Sequence, residues 1–309
     1  MRDVWGDIVE FARWHVQSRD IDPVYPVLRD FCDRRGIDVE GRLWLVFCYV
    51  AFYDLPSGLT IWERTGTPTK LDSVEIADAC DRLPKATERR GHRRPGFAYR
   101  HLQSVAAFAR AYGSLHAFVT RGFVGDPERD WLRLQDTLME VHGNGRWAAY
   151  KSGELMMEVA GIDVRPTDAG NAWSSGPRKG LALLFDPVDG NGADAIAQLD
   201  AQVDATMAAF GEAGLDLPVE QVETILCDFA SMDAGRFYVG HDIDHLQEQI
   251  DGAPELSDAA REDLRAARSR TIDARWRGES SGWHGPRKDL NRLYRDTGRI
   301  RWWEPVDDQ

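Results

Sequence analysis

Residues 143–151 read Gly-Asn-Gly-Arg-Trp-Ala-Ala-Tyr-Lys, a glycine pair that runs straight into a helix-forming stretch. Glycines permit a tight turn, and the amides opening the next helix, with its dipole behind them, suit an anion such as a phosphate. Cationic clusters whose guanidinium forks match phosphate oxygens occur three times. They are Arg89-Arg90 with His92 and Arg93, then Gly176-Pro177-Arg178-Lys179, then Gly285-Pro286-Arg287-Lys288, which repeats the second residue for residue. Surface salt bridges to acidic neighbours are the alternative use of each. Asp168 lies in Pro-Thr-Asp-Ala-Gly, where capping a helix after a proline turn competes with a chemical role. His241-Asp242-Ile243-Asp244-His245 places two metal-ligating histidines at i, i+4, but no comparable cluster supplies further ligands, so neither a metal nor a cofactor is expected.

The net charge of -13 makes a phosphate-binding motif unexpected until its distribution is read. Residues 81–100 carry seven Lys/Arg against two acids and residues 265–303 carry eleven against four, so the rest of the chain is more acidic than the total. Screening confines fields to about 10 Å, so such segments can hold a polyanion locally, or they can be solvated faces. Cys32, Cys48, Cys80 and Cys227 are far apart with no C-x-x-C pair, which argues against a zinc ribbon, an iron–sulfur cluster and a secreted disulfide scaffold. They read as reduced core thiols of a cytoplasmic protein. The longest apolar run, Leu43 to Tyr53, falls short of the roughly 20 residues that a membrane span needs, and no targeting segment opens the chain.

These motifs need helices to position them. Apolar spacing predicts helices over a segment containing Val4, Ile8, Val9 and Phe11, over 24–34, and over Glu40 to Tyr53, which is apolar nearly all round. Further helices fit 71–81, 98–113, 126–139, 145–160, 192–211, 218–230 and 257–276. Breaks fall at 55–70, 83–97 and 161–191, and the best strand-like pattern is the short Gly180 to Phe185 run. Residues 161–191 are long for a structureless loop, which suggests that they line a site. Tyr25, Trp44, Tyr49, Phe52 and Tyr53 recur at helical spacing and read as core before they read as a base-stacking platform, whereas Trp283, Trp302 and Trp303 sit among arginines and glycines. The fold class is all-α.

With its flanks, the glycine motif resembles the helix-hairpin-helix of the DNA glycosylase superfamily, apolar-Pro-Gly-apolar-Gly-x-x-x-Ala. The matching residues are Val141, Gly143, Gly145 and Ala149, with His142 in place of the proline and Asn144 in place of the apolar hairpin residue. Asp168 stands 25 residues after Gly143, close to the spacing of that superfamily's essential aspartate. Bifunctional glycosylases carry their Schiff-base lysine where this chain has Trp147, so lyase chemistry by that route is not expected.

Other segments are similar to a narrower group, the phage amino acid:DNA transferase family, related to the α-glutamyl/putrescinyl thymine pyrophosphorylases. They are DIDPVYPVL (20–28), RLWLVFCYVAFYDLPSGLTIWE (42–63), ERRGHRRP (88–95), GNGRWAAYK (143–151), SGPRKGL (175–181) and the run from Glu223 to Asp244. The resemblance covers about residues 1–250. It implies an enzyme of the host-cell cytoplasm, phage-encoded, that works on DNA carrying modified thymine alongside other phage modification enzymes. The implied reaction replaces the pyrophosphate of 5-pyrophosphorylmethyluracil with an amine from an amino acid or polyamine, with the base extruded into a pocket.

On that basis Gly143, Asn144, Gly145, Arg146 and Lys151 would hold the DNA backbone. Asp168 would take a proton from the incoming ammonium or position it. Arg178, Lys179, Arg287, Lys288, Arg89 and Arg93 would meet the pyrophosphate. Asp228, Arg236, Tyr238 and His241 would shape the amine pocket, a core role being open for Asp228. The expected organisation is an N-terminal helical part (1–97) packing on a helix-hairpin-helix glycosylase-like core (98–276), then a basic aromatic arm (277–309). A monofunctional base glycosylase and a noncatalytic DNA-binding module of a phage complex remain as alternatives.

Overall fold

The computed structural model describes residues 3–81, 83, 95–277, 290, 294, 296–298 and 300, with backbone alone at 95–97. The all-α expectation holds: the described residues form fourteen α-helices and one 3-10 turn, with no strand among them. Two compact units interleave along the chain. The first takes in the described parts of Met1–Pro23, Pro166–His245 and Ile272–Gln309, and the second takes in Val24–Arg165 and Leu246–Thr271.

The second unit holds α2 (Val24–Arg34), α3 (Val39–Phe52), α4 (Leu55–Thr65), α5 (Ser73–Asp81), α6 (Pro95–Tyr112), α7 (Leu115–Val119), α8 (Pro127–Met139), α9 (Arg146–Ala160) and α14 (Asp258–Thr271). α3 is its central rod: every residue from Leu43 to Phe52 is buried, as an all-round apolar helix requires. Asp38 caps the start of α3 through the Gly41 amide at 2.8 Å, and Tyr53 ends it in the left-handed conformation.

The break expected at 55–70 is instead mostly helix. Pro56 lies in the first turn of α4, where its missing N–H costs nothing, and Asp54 caps that turn through the Ser57 amide at 3.1 Å. Gly58 is a crossing point, since a Cβ there would lie 2.6 Å from the Tyr49 Cα. Arginines of the basic C-terminal window that fall in α14 are paired within this unit, Arg265 with Asp251 and Arg270 with Asp30, and Arg268 is buried.

The first unit holds α1 (Val4–Ser18), α10 (Gly176–Leu184), α11 (Ala193–Glu212), α12 (Val219–Asp233) and the opening turn of α13 (His241–Gly252). Its core joins Ile8 and Phe11 of α1 to Val222, Ile225, Leu226 and Phe229 of α12, with Phe11 and Phe229 rings 5.6 Å apart. The strand-like Gly180 to Phe185 run belongs to helix α10 instead. Gly176 and Gly180 lie one turn apart and let α10 press onto α12: a Cβ at Gly176 would stand 2.6 Å from the Cys227 sulfur, and one at Gly180 would stand 2.8 Å from the Leu226 carbonyl carbon. Small residues at a crossing look like alternation when the partner helix is not in view.

Cys32, Cys48 and Cys80 are buried free thiols, and burial pushes Cys32 and Cys80 up to about 12, so they are inert at neutral pH. No helix among the described residues is long and apolar enough to cross a membrane.

Candidate functional site

In the second unit the hairpin joins α8 to α9. Asp126 caps α8 through the Glu128 and Arg129 amides, and Trp131, Leu134 and Leu138 turn its apolar stripe inward. Gly153 lets α9 close onto that stripe, since a Cβ there would lie 2.6 Å from the Trp131 ring. The turn itself is held from inside. The Asn144 amide donates to the Val141 carbonyl at 3.0 Å, and the Asn144 side-chain amide donates to the Leu138 carbonyl at 2.9 Å. Asn144 thus ties the turn to the end of α8.

Two residues of α6 grip the hairpin from outside. The His142 amide donates to Ser104 Oγ at 3.1 Å, and Nδ1 of the buried His101 ring lies 3.2 Å from the His142 carbonyl oxygen. Arg121 ties the end of α8, at Thr137 and Glu140, to Tyr112 at the end of α6. Gly143 takes φ +81, a conformation that glycine alone adopts without strain. Gly145 is the N-cap of α9, and no side chain caps that helix. Gly143, Gly145 and Arg146 are exposed. The geometry is that of an anion-accepting helix start with a cation on its first residue.

Lys151, expected on the DNA backbone, is turned inward. Its Nζ lies 2.9 Å from Glu154 Oε2, the Tyr25 hydroxyl donates to the same oxygen at 3.3 Å, and all three side chains are buried. Helix geometry is the reason: residues 148–156 of α9 are buried, and of its first turns Arg146 and Trp147 are the ones that reach solvent. A lysine so placed neutralises a buried carboxylate. Trp147 is half-buried and meets Tyr53 edge to face, with ring centroids 4.9 Å apart.

In the first unit, Asp168 is half-buried, and its Oδ1 accepts the Gly170 amide at 2.7 Å, which closes an Asx turn. Gly170 takes φ +68, and a Cβ there would fall 2.5 Å from the Trp173 ring. Asn171 is buried and donates to Asp200 of α11 at 2.9 Å. Arg178, the pyrophosphate candidate on α10, spends two donors on the loop: Nε on the Asn171 carbonyl at 2.7 Å and Nη1 on the Gly190 carbonyl at 3.1 Å. Its Nη2 is buried with no hydrogen-bond partner. Lys179 beside it is exposed.

Asp228 of α12 is buried, Arg236 is exposed, the Tyr238 hydroxyl donates to Asp244 at 2.9 Å, and His241 Nδ1 lies 2.9 Å from Asp242 Oδ1. Two further groups anchor this region without having been singled out as site residues. Asp20, fully buried, accepts the Gly240 amide at 2.6 Å and the Ile243 amide at 3.0 Å, and so caps the start of α13. Asp22, in the left-handed conformation at φ 44, accepts the Thr224 hydroxyl at 3.1 Å. Both lie in the DIDPVYPVL segment, and acidic residues flanking one isoleucine were the signal available.

His15 is enclosed beside Asp20, its Nε2 3.8 Å from Asp20 Oδ2 and neither ring nitrogen hydrogen-bonded. Burial pushes it down to about 3, with Asp242 opposing the shift and His241 adding to it. Among the described residues, no group of three or more His, Cys, Asp or Glu could hold a metal ion. Arg89, Arg90, His92, Arg93, Trp283, Arg287, Lys288, Trp302 and Trp303 lie outside the described residues.

A family model described as amino acid:DNA transferase matches residues 16–237. The match takes in the hairpin, Asp168, α10 and α12. No curated protein matches the chain.

Proposed function

The chain belongs to the amino acid:DNA transferase family, and on that premise we propose that it completes a thymine hypermodification in phage DNA. The reaction replaces the pyrophosphate of 5-pyrophosphorylmethyluracil with the amine of an amino acid or polyamine. The bond between the C5-methylene carbon and the pyrophosphate oxygen breaks, its electrons leave with pyrophosphate, and the amine lone pair forms the new carbon–nitrogen bond. An ammonium must lose a proton to expose that lone pair, and Asp168 accepts it. The observation that carries this reading is the span of the family match, which includes the glycine hairpin and the Asp168 loop in one run.

The exposed hairpin start, Gly143 to Arg146, takes the DNA backbone in a helix-hairpin-helix mode like that of the glycosylases. The amine pocket draws on Asp228, Arg236, Tyr238 and His241. The pyrophosphate is met by Lys179 and, through the donor left over on Nη2, by Arg178. The test is mass spectrometry of nucleosides from pyrophosphorylated DNA incubated with the protein and a panel of amines. A nucleoside heavier by the amine, with release of pyrophosphate, is expected. Unchanged nucleosides with folded protein would remove the reading, and abasic sites with free base would replace it with a glycosylase.

A further inference from the structure

The turn of the hairpin is Val141-His142-Gly143-Asn144, closed by the Asn144 amide on the Val141 carbonyl at 3.0 Å. Gly143, its third residue, takes φ +81, while φ at His142 is not positive, and that combination is a type II turn. Proline is favoured at the second residue of such a turn because its ring presets φ, and proline is what the glycosylase motif carries there. This chain has His142 instead, which leaves φ unlocked and adds an N–H that the turn does not use. Types I and II share the closing hydrogen bond and differ mainly by a flip of the central peptide, here the one joining His142 to Gly143.

Helix α6 meets both needs. His101 and Ser104 stand at i and i+3, on one face of that helix. Ser104 Oγ accepts the added His142 N–H at 3.1 Å. A carbonyl oxygen only accepts, so the buried His101 ring carries hydrogen on Nδ1 and donates it to the His142 carbonyl at 3.2 Å. That carbonyl belongs to the central peptide. Across a trans peptide C=O and N–H point opposite ways, so anchoring the carbonyl on α6 turns the N–H of the exposed Gly143 away from α6.

We infer that His101 and Ser104 are positioning residues for DNA binding: with two hydrogen bonds they do what a proline ring does by covalent restraint, and they hold the Gly143 amide where it donates to a phosphate. Both act through the hairpin rather than on the DNA itself. The inference rests on the reading of the hairpin as the backbone anchor, and the two are separable. A neutral amide adds affinity without changing the salt dependence, whereas a cation on a phosphate sets it.

The experiment is equilibrium binding of the full-length protein to duplex DNA over a range of salt, with the folded fraction of each variant measured by circular dichroism. His101→Phe keeps a ring but loses the donor, and should weaken binding by about 2- to 10-fold with the slope of log K against log salt unchanged, the worth of one hydrogen bond. His101→Asn, which offers an N–H near the place of Nδ1, should recover most of that loss. Ser104→Ala should cost about 2- to 10-fold in the parent but less than about twofold in a His142→Pro background, where no N–H remains to be met. A pair that merely stabilised the fold would change the folded fraction and leave the affinity per folded molecule alone. Arg146→Ala should reduce the slope by about 0.9. Parent-like affinity in His101→Phe, or an equal Ser104→Ala loss in both backgrounds, overturns the positioning pair, and a slope still lowered by Arg146→Ala then leaves the anchor standing. An unchanged slope in Arg146→Ala overturns the anchor, and the positioning role with it.

Discussion

Arg178→Ala tests how the segment carrying Asp168 is held. One guanidinium spans that segment, bonding the Asn171 carbonyl at 2.7 Å and the Gly190 carbonyl at 3.1 Å. A hydrogen bond from a charged donor contributes about 1.5–3 kcal/mol, and less where it is exposed. The Asn171 bond is part-buried and the Gly190 bond exposed, so the pair together contributes about 2–4 kcal/mol. The buried Nη2 without a partner offsets about 1 kcal/mol of that. Removing the side chain should therefore ease local opening by about 1–3 kcal/mol, which is about a 5- to 150-fold faster hydrogen exchange. The reporters are the amides of Gly170, bonded to Asp168 Oδ1, and of Trp173 and Ser174, both bonded to the Gly170 carbonyl. Arg178→Lys keeps the charge but cannot make both bonds, so its exchange should follow the alanine variant. Exchange within twofold of the parent at all three amides would refute the clamp. If that result came with a raised KM for pyrophosphorylated DNA, restored by lysine, the side chain would be serving the phosphate instead.

Two other perturbations follow from buried charge. Lys151→Ala takes the cation away from Glu154 inside the unit and should cost about 3–5 kcal/mol in chemical denaturation, whereas Lys151→Met combined with Glu154→Leu should recover most of it. That double variant should bind DNA with the parent salt slope, and a slope reduced by about 0.9 on duplex DNA would return Lys151 to the backbone. His15 titrates near 6.5 when unfolded but is held down to about 3 when folded, so the unfolded chain binds the extra proton between those values and stability falls as pH drops through that window. At pH 4.5 the loss should be about 2.5 kcal/mol relative to pH 7. His15→Phe, set among Phe11 and Phe237, should remove that part of the pH dependence. Equal pH dependence in urea unfolding of parent and variant would show that the ring titrates normally.

Residues whose behaviour is set by near neighbours in the chain were legible, and those set by distant ones were not. α3 and the α8–hairpin–α9 layout follow from apolar periodicity and a glycine pair, because all the determining residues lie within a few turns. Gly58, Gly176 and Gly180 were misread as breaks or strand pattern because a glycine that lets two helices touch is locally indistinguishable from one that turns the chain. The same limit governs the cations. Charge is visible in sequence but burial is not, so the ion pair of Lys151 with Glu154 and the bond from Arg178 to the Asn171 carbonyl were not legible there. Asp20 shows the limit at its widest: it caps a helix whose amides lie more than 200 residues away, at Gly240 and Ile243. Resemblance to the family partly bridged that distance, since its segments include both Asp20 and the start of α13 without saying that one holds the other. A motif shared across a family therefore marks residues that act together with residues that hold them. Separating the two takes burial and hydrogen-bond partners: Arg146 is exposed at an uncapped helix start, whereas Lys151 on the same helix is buried against Glu154.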